Sequence, residues 1–339
     1  MQTQARRPRP TGLHAGAPRT SISDVGEIFA LVSEDMQCSE TELHSQLQIT
    51  IPAVAEIGSY LASAGGKRLR PLLTALGARA VGFDGDIGKL CCIGELLHLG
   101  SLLHDDVVDD GLERRGKTAA HRVYGNPSVI LTGDFCVARG LELAAEHGGH
   151  QAVTRLAATV ASMSEGEVTQ LLNAGNLHLS PEVYLEIVHK KSATLISWCA
   201  AAGAWSVDNA EAAQALVAYG ESVGAAFQIT DDVLDYTGEK EKTGKRRGRD
   251  LAERKMTLPL ILAMARVPGL QDRLLSGDPS PERIPALIES VLDCGAAEDA
   301  LAEATKRVDE GIAALAVLPE TPYREGLVAL AHKLVERVA

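Results

Sequence analysis

DIGKLCCIGELLHLGSLLHDDVVDD, residues 86–110, decides the fold. Its apolar residues Leu90, Ile93, Leu97, Leu102 and Val107 recur at roughly 3.6-residue spacing, the period of one face of an α-helix. AEAAQALVAYGESVGAAFQITDDVLDYT, residues 210–237, has the same pattern. No stretch alternates long enough to make a strand. Across 339 residues aromatic side chains are only 4%, and Ala and Leu, both strong helix formers, recur throughout. Loop signals fall at Gly65-Gly66, Gly82 to Gly85, Gly125-Asn126-Pro127, Gly148-Gly149, Ser180-Pro181, Gly238 to Gly248 and Ser276 to Pro281. With neither repeat nor linker, the pattern predicts an all-α chain of about ten or more helices forming a single domain over 24–339.

Residues 1–23 hold four arginines, three prolines and no acid. They lack the apolar stretch of a secretory signal. A disordered tail is expected, and proline argues against an organelle transit peptide. The net charge of −12 disfavours nucleic acid as the main partner. Cys38, Cys91, Cys92, Cys136, Cys199 and Cys294 contain no C-x-x-C pair and read as buried free thiols in a reducing compartment. No apolar run approaches the roughly 20 residues that span a bilayer, so a cytoplasmic protein is expected.

Chemistry concentrates in three places. Asp105-Asp106-Val107-Val108-Asp109-Asp110 ends the first apolar run. Asp105 and Asp109 are four apart and share a helix face, where they repel unless a divalent cation lies between them. Hard carboxylate oxygens suit magnesium, which also accepts substrate phosphate oxygens. Asp231-Asp232-Val233-Leu234-Asp235 repeats the D-D-x-x-D spacing inside the second run. A solvated acidic helix end would explain one such cluster; two with identical spacing suggest carboxylate walls facing each other across a cavity. Gly65-Gly66-Lys67-Arg68-Leu69-Arg70-Pro71 places three cations in four residues, a local anion site in an acidic protein. Arg114 and Arg115 follow the first acidic motif, and Lys190, Lys191, Lys245 and Lys255 are further candidate cations.

GGKRLRP, LLHDDVVDD with GLERRG, KKSATLI, FQITDDVLDY and GRDLAERKMTLP stand in the order found in trans-isoprenyl diphosphate synthases, and the chain resembles that family from about Ile49 to Ala265. The string LLHDDVVDD is most similar to long-chain octaprenyl and heptaprenyl diphosphate synthases. The resemblance implies an isoprenoid synthase helical bundle with a central active-site cavity. The implied reaction is head-to-tail condensation of isopentenyl diphosphate with an allylic diphosphate, in a cytoplasmic homodimer. It implies that Asp105, Asp106, Asp109, Asp231, Asp232 and Asp235 hold magnesium, three ions in all. Lys67, Arg70, His98 and Arg115 match the isopentenyl diphosphate pocket, and Arg114 an arginine on the allylic diphosphate. Lys191, Ser192, Gln228, Lys245 and Lys255 match positions lining the allylic site. Ser192 stands where the family has threonine.

Product length is read from the helix before Asp105. Short-chain members carry bulky aromatics four or five residues before the first aspartate, where this chain has Ser101 and Gly100, with Leu97 a turn deeper. An open tunnel and an all-trans product of roughly thirty to fifty carbons are expected on resemblance; geranylgeranyl diphosphate is the alternative. A class I terpene cyclase is a second alternative, with Glu239 at one of its motif positions, but a cyclase needs no second diphosphate pocket. A regulatory subunit that has lost its aspartates is disfavoured because both motifs are intact.

Overall fold

The computed structural model describes residue 22 and residues 24–238, 247–276 and 282–336. The tail 1–21, Glu239 and Lys245 lie outside them. Helices α1 (Val25–Leu31), α2 (Ser33–Leu47), α3 (Pro52–Ala62), α4 (Leu69–Ala80) and α5 (Ile87–Val108) come first. A short hairpin follows, β1 (Glu113–Arg114) antiparallel to β2 (Lys117–Thr118). Next come α6 (Ala120–Tyr124), α7 (Asn126–Leu143), α8 (Gly149–Leu172), α9 (Pro181–Val188), α10 (Thr194–Ser206) and α11 (Ala210–Thr237). The remainder is α12 (Arg249–Ala252), α13 (Leu258–Arg266), α14 (Leu270–Leu275), α15 (Ile284–Asp293), α16 (Ala296–Ala314) and α17 (Pro322–Glu336).

Helix ends follow local chemistry. Asp86 accepts the N–H of Lys89 at 3.2 Å and starts α5. Asn209 does the same for α11 through Ala212 N–H, and Ser180 for α9. The hairpin is too short to alternate, which is why periodicity missed it. Arg115 (φ 52°) and Gly116 (φ 75°) are both left-handed, as a two-residue turn matching strand twist requires. Gly148-Gly149 is tighter than the open loop expected: a π-helical turn, Ala144–Gly148, runs straight into α8.

Helix α10 is apolar all round and sits at the centre, with every residue from Leu195 to Trp205 buried. It packs against α4, α8 and α11. The α4–α10 crossing is close because a Cβ on Gly77 would lie 2.1 Å from the Ala200 carbonyl oxygen. Each leucine buried around it contributes about 1.5–3 kcal/mol; a side chain at Gly77 would prise the seam open. Trp198 satisfies its indole N–H on Ala152 O at 2.9 Å, tying α10 to α8. Tyr219 donates to Leu327 O at 2.7 Å and ties α11 to α17. Cys91, Cys92, Cys136 and Cys199 are buried thiols as expected, whereas Cys38 is exposed and Cys294 half-buried.

Candidate active site

The C-terminal ends of α5 and α11 open on one cavity of about 1170 Å³, with Asp105 and Asp109 on one wall and Asp231, Asp232 and Asp235 on the other. Asp105 and Asp109 face it together because they are one turn apart. Burial pushes the Asp105 carboxyl up to about 6, and Glu167 and Asp109 add to this while Lys191 opposes it. Asp106 points elsewhere. It is 1% exposed, its Oδ1 accepts Arg114 Nε at 2.7 Å, and its Oδ2 is buried without a hydrogen-bond partner.

The second motif divides in the same way. Asp231 lines the cavity half-buried, and Lys67 Nζ reaches to 4.0 Å of it. Asp232 is buried: Tyr184 donates to Oδ2 at 2.6 Å and Gln228 Nε2 to Oδ1 at 2.8 Å. Burial pushes Asp232 up to about 8; the Asp250 charge adds to that, and the two hydrogen bonds oppose it. Asp235 accepts the backbone N–H groups of Arg249 (3.2 Å) and Asp250 (3.0 Å), so it caps α12. Ser192 Oγ donates to Gln228 Oε1 at 3.1 Å.

The cations expected at the allylic side line the cavity: Arg114, Lys191 and Lys255. Lys191 and Ser192 lie on a second π-helical turn, His189–Ala193, an irregularity typical of functional sites. Lys191 pairs with Glu167 on α8, whereas Lys190 faces the surface on Glu165 and Glu186. Burial works against the Lys255 ammonium, but Glu253 at 2.7 Å more than offsets it and lifts its pKa.

The basic cluster gathers next to this cavity. His98 on α5, Arg70 on α4 and Arg115 in the hairpin turn come together. Arg115 donates to Gly65 O and lies 3.5 Å from His98 Nε2. Burial, then the charges of Arg70 and Arg115, hold the His98 imidazole well below its ordinary pKa, so it stays neutral. Arg68, the third cation of the run, is turned away and bonded to Glu40 and Glu95. Lys67 reaches from the cluster into the cavity: its ammonium stands 5.6 Å over the Phe227 ring while facing Asp231.

Gly100 and Leu97 are placed differently from a tunnel lining. A Cβ on Gly100 would lie 2.9 Å from Gly133 O on α7, so its smallness closes the α5–α7 seam. Leu97 is 1% exposed and packs on Gly140 of α7. Ser101 stays half-buried one turn below Asp105, its hydroxyl bonded to His98 O at 2.9 Å. Sequence reasoning passed over Tyr184, Glu167 and Asp250. Asp250 stood in the quoted string GRDLAERK, from which only Lys255 was taken; Tyr184 and Glu167 carry no local signal.

The family model described as polyprenyl synthetase matches residues 51–289. Octaprenyl diphosphate synthase of Escherichia coli (strain K12) is 36% identical over 317 residues, 92% of this chain and 98% of that protein. Among solved structures, polyprenyl synthase from Caulobacter crescentus CB15, complexed with calcium and isoprenyl diphosphate, superposes with a TM-score of 0.88 at 39% identity, over 95% of this chain and all of that one. A decaprenyl diphosphate synthase from Rhodobacter capsulatus gives a TM-score of 0.86 at 34% identity, over 93% of this chain and 99% of that one.

Proposed function

The chain belongs to the polyprenyl synthetase family and is a trans-prenyltransferase, and from that premise we propose how its cavity and basic pocket divide the reaction. It joins isopentenyl diphosphate head to tail with an allylic diphosphate and makes an all-trans long-chain polyprenyl diphosphate. One observation carries the division: two acidic walls face each other across one cavity, and Lys67 links it to a cluster of arginines and a neutral histidine.

Magnesium is the ion assigned to the acidic walls, three ions by the family resemblance. The donors fit. Carboxylate oxygens are hard ligands, and Asp105, Asp109 and Asp231 line the same cavity. Magnesium takes one or two protein carboxylates and completes its shell with water and phosphate oxygens. Asp105 and Asp109 would hold it on one wall and Asp231 on the other. Asp106, Asp232 and Asp235 complete the expected set, each already engaged by the protein. When bound, the metal neutralises diphosphate charge and assists its departure.

The chain's own side chains supply the rest. Arg114, Lys191 and Lys255, with Lys245 by resemblance, face the allylic diphosphate and stabilise the charge that grows on it as the carbon–oxygen bond breaks. Ser192 and Gln228 bond to each other beside Asp232 and fix that wall. Lys67, Arg70, His98 and Arg115 hold isopentenyl diphosphate so that its double bond points at the nascent allylic cation, a positioning role. The departing diphosphate takes the proton lost afterwards, by resemblance. The product has roughly thirty to fifty carbons, supported by the small Ser101 below Asp105.

The reading extends to one catalytic domain over 24–339 and to a cytoplasmic homodimer. The resemblance supports both; among the described residues no helix is long and apolar enough to cross a membrane. The test is incubation with magnesium, labelled isopentenyl diphosphate and, in turn, dimethylallyl, geranyl, farnesyl and geranylgeranyl diphosphates. A ladder ending at thirty carbons or more is expected. A stop at twenty would make this a geranylgeranyl diphosphate synthase. Cyclic hydrocarbons with no isopentenyl incorporation would overturn the assignment.

A further inference from the structure

Glu95 is a buried carboxylate that no step above uses. It lies on α5, three residues before His98, and is 8% exposed. Its Oε2 takes Arg68 Nη1 at 3.0 Å. Glu40 on α2 grips the same guanidinium from the other side, at 2.5 Å from Nη2 and 2.7 Å from Nε. Ala62 O, at the end of α3, takes Nη2 at 3.4 Å. Arg68 is thereby tied to three helices. Its backbone lies in the left-handed region, φ 49° and ψ 34°, which an ordinary side chain adopts only where the surroundings impose it.

The position of Arg68 gives this clamp its consequence. Lys67 and Arg70 flank it, and Arg115 is fastened to the same loop through Gly65 O. We propose that Glu95 is a positioning residue for isopentenyl diphosphate: through Arg68 it fixes the loop Gly65–Arg68 against the start of α4 so that Lys67, Arg70 and Arg115 converge on one diphosphate. The inference rests on assigning that pocket to isopentenyl diphosphate. Removing the carboxylate has two opposed effects. The pocket becomes more positive, which tightens an anion; the loop loses its anchor, which loosens it. The second dominates because Glu95 bonds the arginine that faces away from the ligand, and its loss leaves that buried guanidinium undercompensated.

The experiment uses the full chain with magnesium. Isopentenyl diphosphate binding is measured by calorimetric titration without allylic substrate, and KM is measured for both substrates. Glu95→Gln is expected to raise the isopentenyl diphosphate Kd and KM about ten- to a hundredfold, the scale of a misplaced binding group. The allylic KM stays put, and Glu95→Asp recovers part of the loss. Glu40→Gln, at a more open position, moves the same constant in the same direction and decides the matter should Glu95→Gln not fold. An isopentenyl diphosphate constant that is unchanged or tighter in the folded variants overturns the proposal. Arg70→Ala is the benchmark: if it too leaves that constant unmoved, the pocket assignment has failed, and the role of Glu95 with it.

Discussion

Replacing Gly100 by Ala and Ser101 by Phe is expected to have different consequences, although the two residues are neighbours on α5. At Gly100 the new methyl would stand 2.9 Å from Gly133 O and 3.2 Å from Val137 Cγ2, so α5 and α7 must part by a few tenths of an ångström. Overpacking of this kind costs about 1–3 kcal/mol. At the lower end of the ~2–4 °C per kcal/mol of somewhat smaller domains, about 2 °C per kcal/mol for a chain of this size, the loss in Tm is about 2–6 °C. Product length should not change. Ser101 lies one turn below Asp105, about 6 Å along the helix, and bonds only locally, to His98 O. A phenyl ring there blocks the growing chain, so the products of Ser101→Phe should end below thirty carbons. Both readings come from one pair of assays: thermal melting, and chromatography of dephosphorylated products made from farnesyl diphosphate and labelled isopentenyl diphosphate. A shortened product from Gly100→Ala at unchanged Tm would show that Gly100 faces the tunnel and would refute the packing argument. A full-length ladder from Ser101→Phe would refute the tunnel.

In the presence of a chelator, stability is expected to fall as pH rises from 6.5 to about 8. Folded Asp232 keeps its proton up to about 8 while the unfolded carboxyl loses it near 3.8, so the folded state binds more protons in this window. His98, buried and neutral, works the other way but only below 6.5. Asp232→Asn should flatten the slope; a Tm that rises with pH in the parent protein contradicts the assignment. Asp231→Asn is expected to lower kcat by at least about a hundredfold, as for a lost electrostatic contact to the leaving group, whereas Asp235→Asn, which can still cap α12 through its amide oxygen, should lose far less; equal losses would place Asp235 among the ligands. Tyr184→Phe leaves the buried Asp232 Oδ2 without its donor, a loss of about 1–3 kcal/mol, and should lower both Tm and kcat; a neutral result would show that Gln228 alone holds Asp232. Chelation should abolish isopentenyl incorporation and added magnesium restore it, followed by label counting.

The sequence by itself determined the helices and the motif residues. The run 210–237 and helix α11 coincide, and α5 starts one residue into the run that opens at Asp86. These follow from the 3.6-residue period and from capping, both of which act over three or four residues. The resemblance carried the motifs as far as naming which residues meet substrate. Only the tertiary structure decided which member of each motif faces the cavity. Asp105 and Asp106 are adjacent in the chain and equal in type, yet one opens on the cavity while the other is buried beneath Arg114, which arrives from the hairpin. Asp232 and Asp235 line the cavity, but Tyr184 from α9 engages the first and the backbone of α12 the second. Gly100 looked like an open tunnel position because a small residue reads the same whether substrate or a neighbouring helix takes the space. Glu95 gave no signal, because its partner Arg68 lies on a segment far from it in sequence. A carboxylate's environment is set by which partner another helix delivers to it, and helix crossings fix that over distances that a local pattern does not encode.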